Sequence, residues 1–500
     1  MQKPVEGRKE GKILSEYKHG IATSRKKTGD IQQTICRNMV QVVIGTAPVN
    51  TLTDTASAVN RPILLESMED VKNKIGISND WEKYTILHSV YASFKKHAVS
   101  PIVVINVLDP ENSNHIEAVV GAECTFINKR IVVEDTGILK DKVEVSDGET
   151  TYEAGTDYVT SFDSSGHLVI AATDDGALKE KTIVSLSYSK LNPDNVTEED
   201  IVGGIDEVGN RSGVELIDDV YPLTGIIPEI IIAPVYSKHP AVAAALEAKA
   251  QKIYGMFNGI ALVDLDSSSS GADIFAKVPK TKEKNVPASR WVVPLWPMVQ
   301  SDGYKFAYSA YAGALLQAVT VNNNNIPSES VDNMELLIDG LCTEDGSDIF
   351  MIQEDVNNYL NAYGVVGAIK LPTWKAWGNN TAAYPDSEDP MERWIKSVTM
   401  LNFLENKFKQ DYLPKVGRSV TYKFIEGIVS EFNMALNSYV PDYLAGAEIV
   451  FNRADNPKEN IMAGYLKFVT RYADYTPAEF IENEFTYDIN MLEAALGGEE

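Results

Sequence analysis

The six histidines are the side chains best suited to metal binding and proton transfer, yet their spacing supports neither role. A zinc site needs paired histidines or neighbouring cysteines, and the chain contains no His-x-x-x-His pair. His88 lies beside the apolar stripe of a predicted helix, where a buried histidine with satisfied hydrogen bonds is the common case. We therefore predict no metal site. The histidines are His19, His88, His97, His115, His167 and His239.

Two loops resemble ligand sites only in part. The turn at residues 45–48 (GTAP) follows a predicted strand but lacks the glycine pattern and the Gly-Lys-Ser/Thr ending that cradle phosphate groups. The run from Asp264 resembles a calcium loop, but Ser269 stands where that loop needs glycine and Phe275 where it needs glutamate. We predict no cofactor and a solvated turn at residues 264–268.

The sequence carries no signature of a catalytic nucleophile. It lacks the Gly-x-Ser-x-Gly elbow of hydrolases. Cys36, Cys124 and Cys342 are too few and too widely spaced for a disulfide framework or a metal knuckle, so we expect free and buried thiols. An α/β enzyme whose active site is assembled from scattered residues remains an alternative.

The composition indicates a globular protein with a strong negative charge. Among 500 residues, 71 Asp and Glu outnumber 45 Lys and Arg, which gives a net charge of −26. Such a field repels phosphate backbones, so we expect no direct nucleic-acid partner. No apolar run reaches the roughly 18 residues of a membrane helix. The first twelve residues carry charge where a secretory signal is apolar, so we expect cytosolic synthesis and no membrane insertion.

The elements that must position any site alternate between strand and helix. Residues 39–45 (MVQVVIG) and 101–108 (PIVVINVL) are typical of strands buried on both faces of a parallel sheet. Between them, Ser67 followed by Glu69 and Asp70 predicts the start of a helix. The pattern resumes with strands at residues 227–233, 260–264 and 291–294 and a helix at 241–257. We predict α/β architecture.

An antiparallel β domain is predicted as an insertion between residues 116 and 189. Short runs of strand-forming residues are separated there by Asp-Gly and Ser-Gly pairs, which favour tight turns. The predicted strands cover residues 130–134, 142–145, 158–162, 167–170 and 182–188.

Both ends of the chain have unusual patterns. Residues 1–30 carry eight Lys and Arg against four Asp and Glu and contain few apolar residues. We predict an arm that orders on a partner, the alternative being a frayed tail. Residues 391–408 predict an amphipathic helix. Close to the C-terminus, four apolar residues alternate with polar ones, which is the period of a half-buried strand. They are Phe485, Tyr487, Ile489 and Met491.

Ten short motifs, in one order along the chain, resemble the tail sheath proteins of contractile bacteriophages and of phage-tail-like bacteriocins. Each motif is weak alone, and their shared order carries the resemblance. Local departures occur at residues 301–327 and at Asn380. The motifs are residues 17–21 (YKHGI), 43–48 (VIGTAP), 60–64 (NRPIL), 103–110 (VVINVLDP), 155–158 (GTDY), 184–188 (VSLSY), 200–204 (DIVGG), 231–234 (IIAP), 377–381 (WGNNT) and 475–481 (YTPAEFI).

The resemblance implies a structural polymer and no enzyme. Six subunits would form each ring, and the rings would stack around a tail tube between a baseplate and a tail terminator. Contraction would drive the tube through a bacterial envelope. The particle would assemble in the bacterial cytoplasm as a phage tail or a tail-like bacteriocin. A surface-layer protein or adhesin is the other alternative, which the charged N-terminus opposes.

The implied fold is a multidomain α/β protein. An α/β core carries the inserted antiparallel β domain, and terminal arms complete an α+β C-terminal domain. The predicted boundaries are an arm at 1–37, the core at 38–115 and 195–345, the insertion at 116–194, the C-terminal domain at 346–477 and a second arm at 478–500.

Two sets of residues are candidates for contacts between proteins. In the resembled family, arms of neighbouring subunits complete a sheet through main-chain hydrogen bonds. We predict that Phe485, Tyr487, Ile489 and Met491 form such an intersubunit strand, the alternative being an arm that folds back on its own subunit. We also predict a basic strip that faces the tube, with a solvated helix face as the alternative. It consists of Arg393, Lys396 and Lys407.

Overall fold

The described chain begins with strands and helices in alternation. A computed structural model describes residues 34–497, so the predicted basic arm at residues 1–30 lies outside the described residues. Ser67 caps the first helix, because its hydroxyl accepts a hydrogen bond from the Asp70 amide (3.2 Å). The first elements are β1 (Thr34–Ile35), β2 (Gln41–Gly45), β3 (Pro62–Leu65), α1 (Met68–Lys74), α2 (Thr85–Val90), β4 (Val99–Ser100) and β5 (Ile102–Asn106).

Seven antiparallel strands follow, as the sequence predicts for this region. They form one sheet in the order β6-β12-β8-β9 and another in the order β10-β11-β7. Gly148 and Gly166 turn the chain between strands with positive φ values of 89° and 86°, which glycine adopts without strain. The strands are β6 (Ile116–Thr125), β7 (Arg130–Val133), β8 (Ile138–Ser146), β9 (Thr151–Tyr152), β10 (Tyr158–Phe162), β11 (Leu168–Ala172) and β12 (Ile183–Leu191).

The α/β pattern then resumes. The helices are α3 (Glu198–Val202), α4 (Val220–Thr224), α5 (Pro240–Gln251), α6 (Val278–Asn285) and α7 (Tyr308–Asn322). The strands are β13 (Gly204–Ile205), β14 (Arg211–Ser212), β15 (Ile230–Ile232), β16 (Ile260–Asp264), β17 (Val292–Leu295), β18 (Met298–Ser301), β19 (Tyr304–Phe306), β20 (Gly340–Cys342) and β21 (Asp348–Ile349).

Three strands from the start of the described chain and three from this second α/β part form the central sheet, in the order β17-β16-β15-β2-β5-β3. All neighbouring pairs are parallel except β3 with β5. Every residue of β2, β5, β15, β16 and β17 is buried, and helices α2, α5 and α7 pack against them. The predicted parallel pairing is confirmed, and burial of both faces explains the continuous apolar runs.

The last third of the described chain contains mainly helices and hairpins. Strands β18 to β21 form an antiparallel sheet, and two later pairs of strands stand apart from it. The elements are α8 (Gln353–Tyr359), β22 (Gly367–Leu371), β23 (Thr373–Trp377), α9 (Pro390–Arg393), α10 (Ile395–Tyr412), α11 (Tyr422–Asn437), β24 (Leu444–Val450), α12 (Lys458–Met462), β25 (Val469–Asp474) and α13 (Ile489–Ala495).

Buried apolar side chains form three clusters. The largest surrounds the central sheet and includes side chains from Met39 to Val398. A second lies between the two antiparallel sheets of residues 116–191. The third joins α10, α11 and the β24–β25 hairpin. Side chains between residues 351 and 398 pack in the first cluster, beyond the predicted boundary at residue 346. The division into domains itself stays a prediction.

The helix predicted for residues 391–408 is two helices. Trp394 adopts an extended conformation (φ −84°, ψ 124°) between α9 and α10, and its side chain is buried. The predicted apolar face is correct at Ile395 and Val398, which are buried in the largest cluster. The helical periodicity does not reveal the break, because Met391 and Trp394 continue the spacing of the apolar residues of α10.

Candidate functional site

The side chains considered for chemistry have structural partners. Within residues 34–497, no three His, Cys, Asp or Glu side chains lie close enough together to hold a metal ion. His88 Nδ1 accepts a hydrogen bond from the Ala307 amide (3.1 Å), and Nε2 lies 3.0 Å from the Glu82 carbonyl oxygen. Burial lowers the pKa of His88 to about 4, so the ring is neutral at pH 7. The prediction of a buried, satisfied histidine is confirmed.

The prediction of a solvated turn is wrong at Asp264. Its carboxylate is buried and accepts hydrogen bonds from the Ser309 amide (2.8 Å), the Ser309 hydroxyl (2.6 Å) and the Ser237 hydroxyl (3.3 Å). Burial raises the pKa of Asp264. The carboxylate therefore ties the end of β16 to the start of α7, a role that needs no ligand.

The cysteines are unpaired, and no helix in the described ranges is both long and apolar enough to cross a bilayer. Cys36 and Cys342 are buried as predicted, whereas Cys124 is half-buried in the antiparallel region.

A two-stranded sheet of β24 and β25 lies in the C-terminal region. The strands are antiparallel, with Ile449 opposite Thr470 and Ala447 opposite Tyr472. Helices α10 and α11 cover one face of the sheet through the third apolar cluster. On the other face, the Arg471 guanidinium lies 3.2 Å from the Glu448 carboxylate, at two exposed side chains. The sheet therefore has one packed face, one solvated face and two outer edges.

The Asn433 side chain on α11 and the Tyr439 carbonyl oxygen after it bond backbone groups of β24 at Ile449 and Leu444. Asn433 Nδ2 donates to the Ile449 carbonyl oxygen (2.9 Å), and the Ile449 amide donates to Asn433 Oδ1 (2.9 Å). The Leu444 amide donates to the carbonyl oxygen of Tyr439, just after the helix (3.0 Å). The Asn433 side chain therefore makes the same two hydrogen bonds to the backbone of Ile449 that a neighbouring strand would make.

Among residues 34–497, no strand pairs with the outer edge of β25. In an antiparallel ladder, both polar groups of a residue point to the same side, and opposed residues alternate between bonded and unbonded pairs. Because Ile449 bonds Asn433, it and Thr470 form an unbonded pair. The N–H and C=O groups of Thr470, and of Tyr472 two residues later, therefore point away from β24. Within residues 34–497 these groups have no further backbone partner.

An apolar groove of about 420 Å³ lies between α10 and the packed face of β25. Its floor is formed by aliphatic and aromatic side chains, and its rim carries Glu405, Lys409 and Lys467. Such a groove beside an open strand edge can receive alternate side chains of an added strand. The apolar and aromatic lining residues are Leu401, Leu404, Phe408, Phe432, Tyr465, Leu466, Phe468 and Tyr472.

The C-terminal segment is exposed along its whole described length. Residues 475–488 contain no helix or strand, and every side chain from residue 478 to 497 is exposed. The predicted strand is wrong for the single chain from Ile489 onward, because helix α13 begins there. Phe485, Tyr487 and Met491 are 90%, 77% and 72% exposed. The segment therefore presents large apolar side chains to solvent, which monomeric proteins rarely do in a contiguous stretch.

Arg393 anchors the root of this segment. Its guanidinium lies 2.6 Å from the Glu479 carboxylate, and Nε donates to Asn380 Oδ1 (2.7 Å). The same guanidinium stacks on the rings of Tyr384 and Trp394, 4.3 and 4.0 Å from their centres. Arg393 is therefore engaged within its own chain, and its predicted role toward a partner stays a prediction.

The other two residues of the predicted basic strip have separate surroundings. Lys407 pairs with Asp411 on the next turn of α10 (3.0 Å), and Lys396 is half-buried near the start of that helix. Arg393, Lys396 and Lys407 therefore have three different local environments. A role for Lys396 and Lys407 toward a partner stays a prediction.

A different basic surface lies at the turn between α10 and α11. Lys415, Arg418 and Lys423 are its charged residues, and no Asp or Glu occurs from residue 412 to 425. Val416 and Tyr422 are 79% and 77% exposed there. We call residues 413–423 the basic tip. The local excess of positive charge is visible in the sequence as a run of 14 residues without Asp or Glu, but it lies mainly in a turn and not on a helix face.

A polar seam positions α10 on the central sheet. Asn402 Nδ2 donates to the Gly259 carbonyl oxygen (3.1 Å), and Asn406 Nδ2 donates to that of Asn258 (2.7 Å). Asn406 also donates to the buried carboxylate of Glu229 (3.2 Å), which accepts from the Met39 amide (2.6 Å). Burial raises the pKa of Glu229. One carboxylate thus links the start of the described chain, the sheet and the helix that lines the groove.

The anchoring of the C-terminal segment can be tested with Glu479→Gln. The ion pair is partly exposed, so its loss should cost no more than about 1 kcal/mol and leave the fold unchanged. Without it, the root of the segment should move more freely. A dye at Asn483→Cys, in a background where Cys124 is serine, should show lower fluorescence anisotropy. Glu482→Gln is the matched control, and an equal change in that variant would contradict the anchor.

Comparison with known proteins gives relatives of one kind. The chain is 26% identical to a tail sheath protein of Burkholderia phage BcepMu over 506 residues, which cover 97% of this chain and 100% of the relative. It is 22% identical to a putative prophage major tail sheath protein of Pseudomonas aeruginosa, over 60% of this chain and 75% of the relative. It is 23% identical to the tail sheath protein of Escherichia phage P2, over 57% of this chain and 69% of the relative. No protein-family model matches the chain.

Solved structures with a similar fold come from contractile particles. A chain in the cryo-EM structure of the anti-feeding prophage baseplate has a TM-score of 0.59 at 14% identity, covering 94% of this chain and 98% of that one. A chain in the contracted sheath complex of the extracellular contractile injection system PVC has a TM-score of 0.56 at 12% identity, covering 95% and 100%. At such low identity these matches establish similarity of fold alone.

Proposed function

We propose, from the premise that this chain is a homologue of the tail sheath proteins of contractile phages, that it is the polymerising subunit of a contractile tail sheath. The observation that carries the proposal is the similarity to a tail sheath protein over 97% of the chain. Its homologues are structural proteins, so the role is mechanical and not catalytic. The protein is a component of a phage tail or a tail-like particle.

The finer assembly follows the earlier resemblance. Six subunits form each ring, and the rings stack around a tail tube between a baseplate and a terminator. The particle assembles in the bacterial cytoplasm. The α/β core, the inserted β domain and the C-terminal domain then act as one subunit whose arms join its neighbours. The arm at residues 478–497 supports this arrangement, because its large apolar side chains are exposed and need a partner surface.

Expression of the chain alone tests the proposed function. We expect long hollow cylinders with a helical surface by negative-stain electron microscopy, because sheath subunits need only each other to polymerise. If only small uniform particles form, the chain is co-expressed with a tail tube protein. Small particles under both conditions would contradict the sheath and favour the alternative of a dispersed-site enzyme.

We infer that the C-terminal arm adds a strand to the β24–β25 sheet of a second copy. Phe485, Tyr487, Ile489 and Met491 then face the apolar groove, and the polar residues between them face solvent. At roughly 3.3 Å per residue, residues 485–491 span about 20 Å, which matches the six residues of β25. The helix at Ile489–Ala495 in the single chain gives way to strand when main-chain partners become available.

Substituting the apolar positions of the arm in one variant and the polar positions in another distinguishes an alternating strand from a general need for the segment. Serine at all four of these apolar positions should abolish cylinders, because the groove loses its side chains. Serine at Thr486, Asp488 and Asn490 changes the same stretch on the opposite face and should leave cylinders intact. Cylinder length and yield by electron microscopy are the measurements. Equal loss in both variants would contradict an alternating strand.

We further infer that the basic tip contacts the tail tube. Lys415 pairs with Glu431 on α11, whereas Arg418 and Lys423 are exposed cations, and exposed Val416 and Tyr422 add apolar contact area. Charged surfaces of opposite sign steer association and fix its register. The tip offers two exposed cations, Arg418 and Lys423, to an acidic tube surface, whereas in the predicted strip Arg393 is paired with Glu479 and Lys407 with Asp411.

Charge reversal tests the tip. Glutamate at Lys415, Arg418 and Lys423 should reduce co-sedimentation with tube protein at least tenfold, while cylinders of the sheath protein alone still form. The matched control places glutamate at Lys277, Lys280 and Lys284, three exposed lysines around α6. Retained co-sedimentation of the tip variant would contradict the inference, and Lys396 and Lys407 would be the next residues to reverse.

A further inference from the structure

The inserted β domain, residues 116–191, has two outer faces of different composition. An antiparallel sheet that packs on one side commonly alternates buried apolar residues with polar residues toward solvent. The three-stranded sheet β10-β11-β7 departs from this pattern, because apolar side chains point away from its core as well. Val132 lies directly opposite Val169, and Val159 lies opposite Ala171. Val132 and Val159 are 54% and 50% exposed.

Ile127 extends this apolar surface beyond the edge strand β7. It forms a bridge with Arg130, which lies opposite Ala171, and directly opposed residues of an antiparallel pair share one face. Ile127 is 71% exposed. A contiguous exposed apolar surface marks a protein contact. We call this surface the valine face, and its residues are Ile127, Arg130, Val132, Val159, Val169 and Ala171.

The outer face of the four-stranded sheet β6-β12-β8-β9 is mainly polar and bears small side chains. Ser185 lies opposite Glu123, and Ser187 lies opposite Glu144. Val120, at the irregularity in the β6–β12 ladder, is 83% exposed. Small side chains allow a second sheet to approach to the usual spacing of about 10 Å. We call this surface the serine face, and its residues are Val120, Glu123, Glu144, Ser146, Ser185 and Ser187.

The two faces carry charges of opposite sign. Arg130 is the charged residue of the valine face, and Glu123 and Glu144 are those of the serine face. All three side chains are exposed, and none takes part in an ion pair among residues 34–497. Lys190 in the same domain, by contrast, pairs with Asp135 (3.0 Å). Complementary charges on two surfaces fix the register in which those surfaces meet.

The position of the two faces indicates which surface covers the valine face. They lie on opposite sides of one sandwich, because the apolar cluster of this domain fills the space between its sheets. A surface that meets the opposite side of the next copy makes a head-to-tail contact, which repeats along a helix. Two valine faces in contact would end at a pair and would bring two Arg130 side chains together. The occupant is therefore the serine face of a second copy.

We propose that the inserted domains of neighbouring copies stack head to tail, with the valine face of one subunit on the serine face of the next. The proposal rests on the proposed function, because a polymer of this chain holds the domains in a repeating order. Sheets pack face to face in this way within β-sandwiches, through side chains that interdigitate. The stack is a second contact between subunits, in addition to the arms, and it gives the insertion a part in stabilising the polymer.

Cross-linking of the full-length chain tests the stack. Ser161→Cys, beside Val169 on the outer side of the three-stranded sheet, is combined with Ser187→Cys on the serine face, in a background where Cys124 is serine. A bis-maleimide with a spacer of about 10 Å, the separation of packed sheets, joins cysteines across a contact. The two cysteines of one chain lie on opposite sides of the sandwich, beyond the reach of the reagent. Each single-cysteine chain is the matched control.

In assembled cylinders we expect a ladder of covalent multimers from the double-cysteine chain. Either single-cysteine chain should give about tenfold less product, because a head-to-tail contact does not bring identical surfaces together. Abundant dimers from Ser161→Cys alone would overturn the head-to-tail arrangement. Cylinders without a ladder also overturn the proposal and leave the sheath function intact. Failure to form cylinders, alone and with tube protein, counts against the proposed function, so the two failures are distinguishable.

Charge exchange tests the register of the stack. Arg130→Glu should lower the ladder yield about tenfold, because like charges then oppose each other across the contact. Glu123→Lys with Glu144→Lys should have the same effect, and all three substitutions together should restore the yield. Cylinders should form in every variant, because the arms still join the subunits. Lys179→Glu, at an exposed position of the domain outside both faces, is the matched control. No loss in the one-face variants, or no recovery in the combination, would overturn the pairing of these faces.

Discussion

Backbone hydrogen bonding at the edges of a two-stranded sheet is the constraint on which the C-terminal region depends. Two strands alone are marginal in water, since each leaves half of its polar groups without a strand partner. In β24, Asn433 meets this demand at Ile449. In β25 the outward groups of Thr470 and Tyr472 have no backbone partner among residues 34–497, and the proposed arm of a second copy would supply one. A strand added along β25 in the proposed assembly would both stabilise this two-stranded sheet and join two subunits. Folding of this region would then be coupled to assembly.

Hydrogen bonds also determine how a force applied to the C-terminal arm would be transmitted to the α/β core of the subunit. Helix α10 meets the central sheet through Asn402, Asn406 and the buried carboxylate of Glu229. Directional polar contacts fix a helix in one position, whereas an apolar contact tolerates sliding. Removal of one member would leave another buried polar group unsatisfied. Helix α10, which forms the groove wall, is thus held rigidly to the sheet. Arg393, the last residue of α9, ties the arm to the chain just before α10.

The sequence predicted those elements whose pattern depends on local periodicity and burial. The parallel strands, the antiparallel insertion and the cap at Ser67 were all predictable, because each is encoded in a few neighbouring residues. The break at Trp394 was not, since it depends on what the two helices pack against. The burial of Asp264 was missed for a similar reason. Its partners Ser237 and Ser309 are distant in sequence and meet it only in the folded chain.

The candidate site was predictable to a different degree. The alternation from Phe485 to Met491 shows which side chains are apolar, but it does not determine whether the backbone is a strand or a helix. In the single chain a helix begins at Ile489. A chain end without tertiary contacts follows local preference until a partner supplies hydrogen bonds. The role of Asn433 left no sequence signal at all, because an asparagine on a helix resembles any other until a strand lies beside it.

The antiparallel region has a consequence for what the particle can carry. Ile116 and Leu191 are directly paired in the β6–β12 ladder, and the Asn192 amide donates to the His115 carbonyl oxygen (2.8 Å). The chain thus leaves the α/β body and returns to it at one point, and the region between has an apolar cluster of its own. A foreign module with adjacent ends could replace it without stretching the body. The same polymer could then display a different exterior.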